Sequence, residues 1–160
     1  LKLKFLETIA CGLDKEFIES YSEIYIKFSK AFNYKKKALK RIRYHRELGE
    51  RCILTSASFD FYVIPMGFEL GFSEVIATKS VWSDNKLLPL IDGNNLKGIF
   101  KLNEIKKLVG ENSVDKTVTV YTDHMSDLPI LEYADVSKVI NPNNKMKKVI
   151  KNKNYRVEKW

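Results

Sequence analysis

The stretch Thr117-Val-Thr-Val-Tyr-Thr-Asp-His-Met-Ser-Asp-Leu-Pro-Ile-Leu131 joins an apolar, β-branched run to two carboxylates, Asp123 and Asp127, and then to a helical apolar pattern. A buried strand that ends this way delivers its acids to the carboxyl edge of a sheet, where open α/β folds keep their chemistry. Two other residues stand in comparable settings. Ser56 follows the apolar run Cys52-Ile-Leu-Thr55, and Lys101 opens the helical pattern Leu102, Ile105, Leu108, Val109. A hydroxyl, an ammonium and a pair of acids are thus each placed by a separate strand–helix unit, the arrangement by which open α/β folds assemble a site.

Each of these residues has a plainer use. Ser56 and Ser58 can turn the chain and cap the next helix, and Thr55 is chemically equivalent to Ser56 one position away. Among 28 Lys and Arg, a lysine on the surface is the ordinary case, and Lys97 competes with Lys101. Asp at a strand-to-helix junction caps readily. His124 reads as exposed or as a neighbour of a hard-cation site; imidazole is not the natural ligand there.

Alternating elements must position these groups. Residues 1–10 and 14–32 read as helices, with Asp14 as the N-cap of the second after the Cys11-Gly12-Leu13 break. The second helix carries Phe17, Ile18, Tyr21, Ile24, Tyr25, Phe28 and Phe32 at helical spacing, a face expected to be core or domain contact. Residues 35–48 form a third, basic helix stopped by Gly49. Strands are expected at 52–55, 74–78, 118–121 and 136–140, with helices from 59 through 70 and over 102–109 and 128–134. Residues 79–99 read as a hairpin or flap, and Asn141-Pro142 turns into a short basic tail. Strands alternating with helices predict a parallel, doubly wound α/β sheet preceded by a helical segment.

Composition narrows the classes. A chain of 160 residues with 44% hydrophobic content can bury a core, and its sparse Gly and Pro exclude collagen-like and disordered classes. Two cysteines, Cys11 and Cys52, make no disulfide framework, and no membrane span or signal peptide is present, so a reducing cytoplasm fits best. The formal charge of +8 is spread over helix surfaces and the tail without interleaved aromatic platforms. Solvated lysine faces account for it, and no nucleic-acid partner is expected. The chain opens on Leu1 within a helical pattern that lacks a cap, and so reads as a fragment.

Ile53-Leu-Thr-Ser-Ala-Ser-Phe-Asp60, Lys101, and Tyr121-Thr-Asp-His-Met-Ser-Asp127 with its following Leu-Pro-Ile-Leu131 come in the order of three motifs. They resemble the second, third and fourth motifs of the haloacid dehalogenase superfamily, in its phosphoserine-phosphatase-like branch. Leu70-Gly-Phe72 before Val75-Ile-Ala-Thr78, then Asn141-Pro142 and the terminal Trp160, are similar too. The resemblance implies a Rossmann-like core over residues 48–160 and, more weakly, a helical cap remnant over 1–47. It implies that Ser56 and the N–H of Ala57 hold a phosphate oxygen. Lys101 then neutralises the phosphate and a neighbouring carboxylate, and Asp123 binds Mg²⁺. Asp127 supports the metal or orients its waters. The family often has Gly where Thr122 sits, a small departure.

A larger departure is an absence. The family's nucleophile is the first Asp of an Asp-x-Asp motif ending the first strand. It forms an aspartyl-phosphate, and an acid two residues later protonates the leaving oxygen. No such motif occurs here; the only early Asp is Asp14, between helices. In the family that strand lies between those ending at Ser56 and Asp123, so its loss would leave two apolar edges unpaired. The expectation is a Mg²⁺-dependent phosphomonoester hydrolase of a small phosphorylated metabolite, with the nucleophile upstream and these residues alone unstable and inactive. A non-catalytic degenerate paralogue or gene remnant that binds a phosphorylated ligand or a partner is the alternative, and a basic nucleic-acid-binding module stands third.

Overall fold

The computed structural model describes residues 2–110 and 116–160, and the chain divides into two compact units, Leu1–Leu96 and Lys97–Trp160. The first begins with α1 (Lys2–Phe5), which widens into a π-helical turn, Leu6–Ala10, before α2 (Lys15–Phe32) and the basic α3 (Lys36–Glu47). Asp14 takes the N-cap position of α2, but its carboxylate pairs with Lys86 at 3.1 Å instead of capping the helix. The amphipathic reading of α2 holds for one face only. Ile18, Ser22, Ile26 and Ser29 are buried, whereas Phe17, Tyr21, Ile24, Tyr25, Phe28 and Phe32 stay exposed.

β1 (Ile53–Phe59) leads into α4 (Asp60–Glu69), β2 (Glu74–Ser83) and β3 (Lys86–Asp92). β1 pairs with β2 in parallel and β2 with β3 antiparallel, giving the order β1-β2-β3. β2 runs five residues past the span read from its apolar run, because it forms the expected hairpin with β3 around Asp84 and Asn85, both at positive φ. α4 lies close on β2. A Cβ built on Gly67 would come within 2.4 Å of a Val75 methyl, so only glycine lets the helix backbone approach so near. The core of this unit gathers Leu6, Ala10, Ile18, Phe59 and Leu87, with Phe61, Tyr62 and Trp82 packed against them.

The second unit contains α5 (Ile99–Val109), β4 (Thr119–Thr122), a 3₁₀ turn (Met125–Asp127), α6 (Leu128–Tyr133) and β5 (Val136–Ile140). The expected basic tail is ordered structure instead: α7 (Asn144–Ile150), capped by the Asn143 side chain at 2.9 Å, and β6 (Arg156–Glu158). Met146 and Ile150 supply the missed apolar spacing, four residues apart on one helix face, and they pack with Leu131 and Val139. β4, β5 and β6 form an all-parallel sheet in that order. The architecture is the expected α/β, Rossmann-like one. β1 and β4 are each an edge strand of their own three-stranded sheet. No helix among the described residues is long and apolar enough to cross a membrane.

Candidate functional site

In the first unit the chemistry-bearing segment is a distortion of β1. Its parallel register with β2 runs evenly through Ile53, Leu54 and Thr55, then shifts before Phe59 pairs with Thr78. Ser56, Ala57 and Ser58 occupy that irregularity, so the regular ladder stops where the sequence places the end of the strand, although extended backbone continues to Phe59. The Ser56 hydroxyl accepts from the Ser58 N–H at 3.0 Å, a local turn in which both groups point into one bend of chain. Thr78, with no solvent exposure, fixes the bend from behind: its hydroxyl donates to the Ala57 carbonyl at 2.7 Å and accepts from the Leu96 N–H at 3.1 Å. Helix capping is not the task of these serines. The N-cap of α4 is Phe59, and no side chain caps it. Asp60 ties the start of that helix to β2 by accepting from the Phe61 N–H and from the Ser80 N–H and hydroxyl.

The second unit holds charge in its interior. Lys101, on the first turn of α5 behind Gly98, is only 6% exposed, and its Nζ lies 2.8 Å from Asp127 Oδ1. A surface role is thereby excluded for Lys101, whereas Lys97 is exposed. The other Asp127 oxygen accepts from the Thr122 hydroxyl at 2.7 Å. Asp127 sits at the N-cap position of α6 but makes no capping bond, so both carboxylate oxygens are committed to side chains. A desolvated ion pair of this kind persists because each partner offsets the other's burial; removing either leaves an unbalanced charge.

His124 does the capping, its ring accepting from the Ser126 N–H at 3.1 Å. This keeps it an exposed turn residue, as expected. Thr122 has the role that sequence reasoning missed. Its hydroxyl bridges Asp127 and the His124 N–H (3.1 Å), tying the strand end to the turn that follows it. The legible signal was its place as the last residue of β4, directly before Asp123.

Asp123 lies between these fixed groups, exposed, and among the described residues its carboxylate makes no hydrogen bond or ion pair. Asp127 thus joins Lys101 on one side and Thr122 on the other, with Asp123 on the same turn, while Ser56 and Ala57 belong to the other unit. Among the described residues no group of three or more His, Cys, Asp or Glu side chains could enclose a metal ion. Asp127 is held by Lys101 and Thr122, and Asp123 is the carboxylate of this turn left open to solvent.

Residues 2–132 match the family model of the haloacid dehalogenase-like hydrolases, and the chain belongs to that family. Solved structures agree on the fold. A protein of unknown function from Bordetella pertussis Tohama I superposes with a TM-score of 0.82 at 19% identity, covering 91% of this chain and 67% of that one. A phospho-aspartyl intermediate analogue of phosphoserine phosphatase gives 0.64 at 21% identity, covering 91% and 66%. A probable phosphoserine phosphatase from Vibrio cholerae gives 0.63 at 12%, covering 76% and 38%. The chain therefore spans from about two fifths to two thirds of these proteins' lengths. A comparison with curated protein sequences finds no significant match.

Proposed function

We propose that the chain is the greater part of a Mg²⁺-dependent phosphomonoester hydrolase acting on a small phosphorylated metabolite. Residues 1–47 serve as cap segment and 48–160 as core, and the carboxylate nucleophile comes from outside these residues. The observation that carries this reading is the buried Lys101–Asp127 pair, which leaves Asp123 beside it with both oxygens available.

Each group has a task of its own. Ser56, through its hydroxyl, and Ala57, through its N–H, bind a phosphoryl oxygen, and Thr78 keeps that bend from relaxing by holding the Ala57 carbonyl. The Lys101 ammonium offsets negative charge on the phosphoryl group while remaining anchored by Asp127. Asp123 holds the metal, and Asp127 orients its surroundings through Lys101 and Thr122. Bound Mg²⁺ would neutralise phosphoryl charge and fix its geometry for in-line attack. Family membership and the phosphoserine phosphatases among the similar folds support a phosphomonoester substrate.

The test joins the chain to a first strand ending in Asp-x-Asp and assays it against a panel of phosphomonoesters with and without Mg²⁺. Hydrolysis that requires the ion, and that falls by roughly 10²–10³ in Asp123→Asn, is the expected result. Turnover that survives Asp123→Asn refutes the metal assignment. A completed chain that binds phosphoesters without turning them over favours the non-catalytic paralogue.

A further inference from the structure

Lys2, at the start of α1, reaches the β1 bend through two neighbours in its own unit. Its ammonium donates to Asn95 Oδ1 at 2.6 Å and, in a longer contact, to the Thr78 hydroxyl at 3.4 Å. It also lies 5.3 Å from the centroid of the buried Phe59 ring, an aromatic face that favours a cation. Thr78 has one proton and two acceptors within reach, the Ala57 carbonyl at 2.7 Å and Asn95 Oδ1 at 3.3 Å. The charge-assisted bond from Lys2 supplies the Asn95 oxygen and makes it the poorer of the two acceptors, so the Thr78 proton goes to the carbonyl.

From there the bonds run in one direction. Lys2 donates to Thr78, and Thr78 donates to the Ala57 carbonyl. The other end of that same peptide, the Ser58 N–H, donates to the Ser56 hydroxyl at 3.0 Å. Each bond in such a chain polarises the next, most of all away from water, and Thr78 has no solvent exposure. Ser56 accepts here and so keeps its own proton to give. An ammonium at the head of the chain makes that proton the better donor to an anionic oxygen. We propose that Lys2 is a positioning residue of the phosphate site: without touching the phosphoryl group, it fixes and polarises the Ser56 hydroxyl through Thr78 and the Ala57–Ser58 peptide. The inference rests on the reading of Ser56 as the hydroxyl that binds a phosphoryl oxygen.

The test uses the chain completed by a first strand ending in Asp-x-Asp, with para-nitrophenyl phosphate as substrate and amide hydrogen exchange followed residue by residue. In Lys2→Met the Ser58 amide should exchange about fivefold faster, with the amides of residues 53–55, on the regular part of β1, unchanged. KM should rise about fivefold with kcat nearly constant, since the phosphoryl group is gripped in ground and transition state alike. Lys2→Arg, which keeps a cationic donor, should restore both. Unchanged exchange at Ser58, or equal acceleration at residues 53–55, overturns the proposal. So does a Lys2→Met effect on KM that persists in a Ser56→Ala background, because Lys2 would then act on the substrate directly. Ser56→Ala with an unaltered KM refutes the phosphate-binding role of Ser56 instead, and with it any task for Lys2 there.

Discussion

The bend after Thr55 in β1 and the turn after Thr122 in β4 end two parallel strands in opposite ways. The first is neutral: hydroxyls and backbone groups hold it, and a shift of register makes the room. The second is charged, with an ammonium and a carboxylate withdrawn from solvent and locked by a threonine. A neutral bend can lose one bond and keep most of its shape, since each hydrogen bond adds only about 1 kcal/mol net. A buried ion pair cannot lose one member cheaply. The β4 turn is therefore the less tolerant of single substitutions.

The strongest way to break that contrast is Lys101→Met, which leaves the Asp127 carboxylate buried without its cation. A loss of about 3–5 kcal/mol in unfolding free energy is expected by denaturant titration. The pairing Lys101→Met/Asp127→Leu should recover much of it. A double variant as unstable as the sum of the singles would show that the pair is not the anchor. Next comes Thr78→Val, which keeps the shape but strips the Ala57 carbonyl and the Leu96 N–H of their partner. About 1–3 kcal/mol is expected, and a variant as stable as the parent would mean the β1 bend holds itself.

The smallest effect sharpens the picture at the foot of β2. Glu74, hydrogen-bonded by Arg51, has its carboxyl held below the usual carboxylate range chiefly by that bond, with partial burial opposing and charge attraction adding to it. A lowered folded value means the contribution is present above about pH 4.3 and disappears as pH falls through the folded value. Arg51→Ala should flatten that acid limb by well under ~1 kcal/mol, because solvent screens the pair. A steep loss reaching toward neutral pH would point to a different group.

Much of the fold was legible because apolar periodicity and turn residues act locally. β5 falls on its expected residues, and β1, β4, α5 and α6 lie within a few residues of theirs. The helix in the tail is hidden in the sequence because basic residues surround Met146 and Ile150, whose burial needs Leu131 and Val139 folded against them. The aromatic face of α2 was legible as a contact surface but not as one that remains open. The role of Thr122 is not legible in the sequence because a hydroxyl has none until folding brings an acceptor, here Asp127, within reach.

Residue types and spacing alone set the alternation of strands and helices, the strand-end acids Asp123 and Asp127, and the family likeness, since each depends on neighbours a few positions away. Folding decided that Lys101 is the buried lysine and Lys97 the exposed one. It also committed Asp127 to two side chains while leaving Asp123 open, and laid Thr78 behind the bend at Ser56. The physical reason is that desolvation and hydrogen-bond partnership are properties of a place in three dimensions, and identical side chains acquire different chemistry only when the chain has put them there.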